Sequence, residues 1–109
     1  MTTFPDTKLV GMHFRGAHAV EYVAALQSGD RLPIEREPDN PYDQNAIKVL
    51  SASGDIHIAY VNADAAAWIS PILDDNPEAP AFAVIERLEQ YKNNNYPYAT
   101  IYIGEEPSE

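Results

Sequence analysis

Hydrophobic and polar positions alternate most cleanly near the end of the chain, where Tyr96, Tyr98, Thr100 and Tyr102 oppose Ala99, Ile101 and Ile103. A two-residue period of this kind predicts a half-buried β-strand. Just upstream, the apolar positions of Ala81 to Tyr91 suit a strand or a helix. The polar Asn93-Asn94-Asn95 between the two segments favours a strand followed by a turn. Ala46 to Leu50 and Ile56 to Val61 are apolar enough for two more strands, and the turn pair Gly54-Asp55 between them predicts a hairpin. Arg31 to Glu37 alternates Leu32 and Ile34 with charged residues. Its Pro33 lacks a backbone donor, so an edge or early strand position is expected. Lys8 to Arg15 reads as a first strand, with Gly11 marking a bulge or bend.

Two segments depart from the strand period. Val20, Val23, Ala24 and Gln27 recur at steps of three and four, which predicts a short helix over Ala19 to Gln27, stopped near Gly29. Asn62 is placed to cap a second helix, with Asp64 in the first turn where negative charge suits the helix dipole. Ala65, Ala66, Ala67 and Trp68 continue it. Pro71 cannot donate a backbone hydrogen bond, so the helix should kink or restart there, before a loop from Asp74 to Pro80. Trp68, flanked by alanines that allow close packing, is expected in the core. The tyrosines of the last strand suit either a second stacking face or a strand side lying beneath the helices. Six strands at short spacing with two short helices make this a mainly β chain and a small six-stranded barrel.

Composition narrows the chemistry. The chain has 109 residues, one domain by length, and no cysteine, which removes disulfides, thiolate metal sites and a cysteine nucleophile together. His13, His18 and His57 form no closely spaced pair, and no glycine-rich phosphate loop or serine nucleophile elbow is present. No metal, no cofactor and no enzymatic activity are therefore expected. No run of about 18 apolar residues occurs, and Met1 to Leu9 lacks the pattern of a signal peptide. A cytoplasmic protein without a membrane partner is the expectation. The formal charge is -10, but it is unevenly spread. Residues 1–50 carry five basic and seven acidic residues, whereas residues 51–109 carry two basic and ten acidic.

The near-neutral half holds the densest segment, Arg36-Glu37-Pro38-Asp39-Asn40-Pro41-Tyr42-Asp43-Gln44-Asn45-Ala46-Ile47-Lys48-Val49. Two prolines fix φ, and Asn40, Asp43 and Asn45 can bond neighbouring amides, so the pattern is strand, rigid corner, strand. Tyr42 is then either a pillar that plugs the turn or a presented flat face. This segment resembles the core motif of the HIRAN domain family. Val10-Gly11-Met12-His13-Phe14, the Gly29-Asp30 step and Ala59-Tyr60-Val61 sit in matching order, so the resemblance spans roughly residues 8 to 75.

The resemblance implies an OB-like barrel that captures the 3′-hydroxyl end of single-stranded DNA, in a family found on fork-remodelling ATPases and as small stand-alone proteins. It places Phe14 and Tyr42 as stacking faces for bases and Asp43 as acceptor of the 3′-hydroxyl hydrogen. Asn40 and Asn45 hold the corner and are candidate donors to the base or backbone, and His13 falls where a basic residue faces phosphate. Arg15, Lys48 and Tyr60 are counted with them as candidate nucleic-acid contacts. Residues 1–104 would form the domain and 105–109 an acidic flexible tail. Stacking tolerates any sequence and a carboxylate repels a terminal phosphate, so such a site would read ends. The stretch after Tyr60, Val61-Asn62-Ala63-Asp64, lacks the basic residue the family often shows. With the overall acidity, this leaves a second expectation open: an acidic interaction module, even a DNA mimic, that docks on a basic protein partner.

Overall fold

In a computed structural model, residues 2–104 fold into six strands and two α-helices. The strands are β1 (Thr2–Val10), β2 (Arg31–Arg36), β3 (Ile47–Leu50), β4 (His57–Val61), β5 (Ala81–Tyr91) and β6 (Asn94–Ile103). They close into a barrel in the order β1-β4-β3-β2-β5-β6, and every pairing is antiparallel. The 105–109 tail expected from the sequence lies outside the described residues.

The two-residue period places the core. In β6 Pro97, Ala99, Ile101 and Ile103 are buried, while Tyr96, Tyr98 and Tyr102 are half-exposed on the outside. Inside the barrel Leu9, Leu32, Ile47, Val49, Ile58, Ile85 and Ile101 are almost wholly excluded from water. Each fully buried side chain of this size contributes roughly 1.5–3 kcal/mol relative to exposure. Tyr96 packs in part against the core. Tyr98 carries the Arg87 guanidinium at 4.3 Å from its ring centre, and Tyr102 stacks on Phe82 at 5.2 Å.

Helix α1 (Ala17–Ala24) turns Ala19 and Val23 into the core and leaves Val20 exposed, so it lies two residues earlier than its sequence period suggests. Helix α2 (Ala63–Asp75) begins as expected. The Asn62 side chain accepts from the Ala65 amide at 3.0 Å, and Ala66, Ile69 and Leu73 pack inward.

Several expectations are corrected. The first strand begins at Thr2 and ends at Val10, because Gly11 adopts φ +83° and sends Met12–Phe14 into a 3-10 turn. Helix α2 does not restart at Pro71 but runs through it to Asp75. Pro71 and Ala67, whose carbonyl it leaves unpaired, both face solvent, where water can satisfy that oxygen. Trp68 is outside the core, with 75% of its surface exposed. The core-facing positions of the helix are Ala66, Ile69, Ser70 and Leu73, and Trp68 falls between them. β2 is not an edge strand, since it pairs with both β3 and β5, and Pro33 stands third in it. It lies where β2 exchanges β5 for β3 as its partner. Asn94 and Asn95 belong to β6, and the hairpin turn is Lys92-Asn93, both at positive φ.

Candidate functional site

The cleft that collects most of the sequence candidates is built by two connections on the same side of the barrel. One is the 3-10 turn after β1. Phe14 donates its amide to the Gly11 carbonyl at 3.1 Å and Arg15 to Met12 at 3.0 Å. The Met12 side chain is buried, so it anchors the turn and forces Phe14 outward, 91% exposed. The other is the corner between β2 and β3. Asn40 Oδ1 accepts the amides of Tyr42 at 2.8 Å and Asp43 at 3.1 Å, and Asp43 Oδ1 accepts the Asn45 amide at 2.9 Å. These side-chain bonds replace a regular backbone ladder and tighten the corner. Pro41 and Tyr42 are left at its tip, and Tyr42 is 95% exposed.

Between the two lies a cleft of about 860 Å³, lined by Phe14, Arg15, Asn40, Tyr42, Asp43 and Tyr60 among others. Val10, Ala46, Val61 and Ala63 make it largely apolar. Two bare aromatic rings flanking an apolar cleft are suited to a flat ligand, which would remove them from water and stack on them. Neither ring supports the fold by burial. The reading of Tyr42 as a plug is therefore excluded.

A hydrogen-bonded network braces the corner against the barrel wall. Tyr60 donates its hydroxyl hydrogen to Glu37 Oε1 at 2.6 Å, and Asn40 Nδ2 donates to the same oxygen at 2.7 Å and to the Tyr60 hydroxyl at 3.3 Å. The Tyr60 and Asn40 bonds hold the Glu37 carboxyl below its ordinary value of 4.5, with Lys48 adding to the effect. Burial and the same bond to Glu37 push the Tyr60 hydroxyl up, so the proton stays on Tyr60 and the charge on Glu37. His57 meets the Tyr60 ring edge-on at 4.5 Å, and its Nε2 lies 2.9 Å from the Ala59 carbonyl. Burial, then the positive charge of Arg15, lower its imidazole below 6.5.

Charge is segregated across the cleft. Glu37, Asp39 and Asp43 line the corner side, and Arg15 lines the side of the 3-10 turn. The Asn40 amide is already spent on Glu37 and Tyr60, so this residue holds the corner rather than offering a free donor. Three candidates do not line the cleft. Asn45 accepts from the buried Ser70 hydroxyl at 3.1 Å and ties the corner to α2. Lys48 sits opposite Tyr60 across the β3–β4 ladder, but its Nζ lies 3.3 Å from Glu35 and 4.0 Å from Glu37. His13 is exposed beside Phe14, its ring edge-on to Tyr96 at 6.1 Å.

Sequence alone assigns no site role to Glu37 or Asp39, and to Gly11 only that of a bulge or bend. Gly11 places the 3-10 turn beside Tyr60, since a Cβ there would lie 3.4 Å from Tyr60 Cδ2. Glu37 closes the polar network. Its only sequence signal was a place within the corner motif. Among the described residues no three His, Asp or Glu side chains gather in a way that could hold a metal ion, and no helix is long and apolar enough to cross a membrane.

Fold and site together define a small closed-barrel module with an exposed aromatic cleft. The sequence matches the HIRAN domain over residues 5–103, and the chain belongs to that family. It is similar to the helicase-like transcription factor of Oryctolagus cuniculus, 34% identical over 74 residues, and to that of Homo sapiens, 28% identical over 74 residues. Each match covers 68% of this chain but only 7% of the relative. Among solved structures, a Lactobacillus plantarum protein superposes with a TM-score of 0.73 at 19% identity, covering 92% of this chain and 93% of that one. The HIRAN domain of human HLTF superposes with a TM-score of 0.66 at 21% identity, covering 95% and 77%. At these identities the structural likeness establishes the OB-like fold.

Proposed function

We propose that this domain is a non-catalytic nucleic-acid-binding module that receives the 3′-hydroxyl end of a single DNA strand, in DNA repair or replication-fork processing. The observation that carries the reading is the pair of nearly fully exposed rings, Phe14 and Tyr42, facing one apolar cleft that Asp43 also lines. A terminal base stacks against these rings, at about 1–3 kcal/mol per base regardless of sequence. Asp43 commits one carboxylate oxygen to the Asn45 amide. The second can accept from a sugar hydroxyl, and its charge opposes a terminal phosphate. Arg15 lines the opposite wall, and its positive charge would suit the phosphate backbone. Membership of the HIRAN family supports the same reading.

The test is fluorescence anisotropy with matched oligonucleotides ending in 3′-hydroxyl or 3′-phosphate, for the unaltered protein and Asp43→Ala. Preference for the hydroxyl end, lost in the variant, is expected. Equal binding to both ends by the unaltered protein defeats end reading.

One observation favours a second reading. Three carboxylates against one arginine around aromatic walls also suit a cationic segment of a basic protein. That reading requires that no oligonucleotide binds even at low salt, while an Arg- and Lys-rich peptide does.

A further inference from the structure

The segment from Thr7 to Val20 contains no carboxylate, yet it holds Lys8, His13, Arg15 and His18. Its Val10, Gly11, Phe14 and Arg15 line the cleft, whose other connection supplies Glu37, Asp39 and Asp43. Tyr96 gathers two of these groups. Lys8 Nζ stands 4.5 Å above its ring centre, and the His13 ring meets the same ring edge-on at 6.1 Å. His13 directly precedes Phe14, the cleft wall, so the Lys8–Tyr96–His13 cluster continues the cleft outward.

The availability of these charges sets them apart. Arg36 is bound to Asp74, Lys48 to Glu35, and Arg87 to Asp6 and Glu89. Among the described residues, neither Lys8 nor His13 is in an ion pair with a carboxylate. Glu89 stands directly across the β5–β6 ladder from Tyr96, but its carboxylate is held by Arg87 Nε at 2.6 Å. Attraction between an exposed ammonium and an aromatic face is weak. Lys8 can therefore exchange the ring for a phosphate oxygen without breaking a salt bridge.

We infer that a strand seated in the cleft leaves it over the 3-10 turn, and that Lys8, set beside His13 by Tyr96, holds a phosphate beyond the two terminal nucleotides. Leaving on the other side would draw the phosphates past three carboxylates. This rests on the end-binding reading and adds to it an exit path and a second contact zone.

The test compares 5′-labelled thymidine oligomers, one of two nucleotides and one of ten, each with a free 3′-hydroxyl. The unaltered protein and Lys8→Gln are titrated across salt from about 50 to about 200 mM, the range over which phosphate contacts weaken markedly. For the longer oligomer, Lys8→Gln should bind roughly five- to tenfold more weakly at the lowest salt, with a log–log salt slope shallower by about 0.7, the single-strand value for one phosphate. Binding of the dinucleotide should be unchanged. Combining Lys8→Gln with Tyr96→Ala should lose little more than the greater of the two single losses, because the ring acts through Lys8. If both oligomers bind but Lys8→Gln leaves the longer one untouched, or weakens both alike, the exit path is wrong and end binding stands. If the unaltered protein binds neither, end binding itself falls and the path with it.

Discussion

The hydroxyl of Tyr60 on β4 donates to the carboxylate of Glu37, the residue that follows β2, at 2.6 Å. That bond spans the barrel wall beneath the corner that presents Tyr42. A neutral donor on an ionised acceptor is among the stronger protein hydrogen bonds. Removing it with Tyr60→Phe should cost about 1.5–3 kcal/mol in urea unfolding at neutral pH. The pH dependence has a defined sign. Glu37 titrates below its ordinary 4.5 in the folded state, so the stabilisation is present above 4.5 and is lost as pH falls through the lower folded value. The gap between the unaltered protein and Tyr60→Phe should therefore close in acid. A gap constant down to acid pH would mean that Glu37 is not the partner that matters.

His57 gives a second window at higher pH. Its folded value is depressed below 6.5 mainly by burial, so the unfolded chain takes up the proton first. Stability should decline as pH falls below about 6.5, the ordinary histidine value. His57→Gln should flatten that decline.

Phe14→Ala and Tyr42→Ala separate binding from folding. Both rings lie almost entirely in water, so each change should shift unfolding free energy by no more than about 0.5 kcal/mol. Each should weaken oligonucleotide binding by roughly five- to a hundredfold, the equivalent of one lost base stack. Circular dichroism melts and anisotropy on the same preparations would show it. Lost stability with unchanged affinity would assign these rings to the fold.

Gly11→Ala tests the backbone of the 3-10 turn. The added Cβ would meet Tyr60 Cδ2 at 3.4 Å, an ordinary contact, so steric overlap is not the issue. The φ of +83° is, and a left-handed conformation costs an L-residue about 1–2 kcal/mol. The variant should lose about that much stability. Relaxation of the turn would also move Phe14, so affinity should fall although Gly11 need not itself contact a base.

Much of this architecture was legible in the residues. Alternation in β6, the Gly54 turn and the Asn62 cap are local signals, and each produced the element expected of it. The corner was legible too, because Asn40 and Asp43 form their turn bonds within three residues of themselves. What escaped was set by distant partners. Thr2 to Phe4 gave no strand signal before Pro5 and Asp6, yet they pair with Tyr102 and its neighbours ahead of a bulge between Phe4 and Thr7. Tertiary pairing of that kind overrides weak local propensity. Glu37 escaped for the same reason, since its significance lies in Tyr60, 23 residues away. Trp68 misled because an aromatic residue in an alanine run packs well on one helix face only. The helix phase that puts Ala66 and Ile69 inside leaves it in water.

Closure of the barrel has a further consequence. Each strand is paired on both sides, although the β1–β4 seam is brief, at Leu9–Val61 and Val10–Tyr60. A neighbouring copy can therefore extend the sheet only where a strand overhangs its partner, as at the β5–β6 tip, where Arg87 to Tyr91 pair only with β6 and Asn94 to Pro97 only with β5. Such growth would bring two copies side by side. There, a surface carrying an excess of ten negative charges sets like molecules against one another.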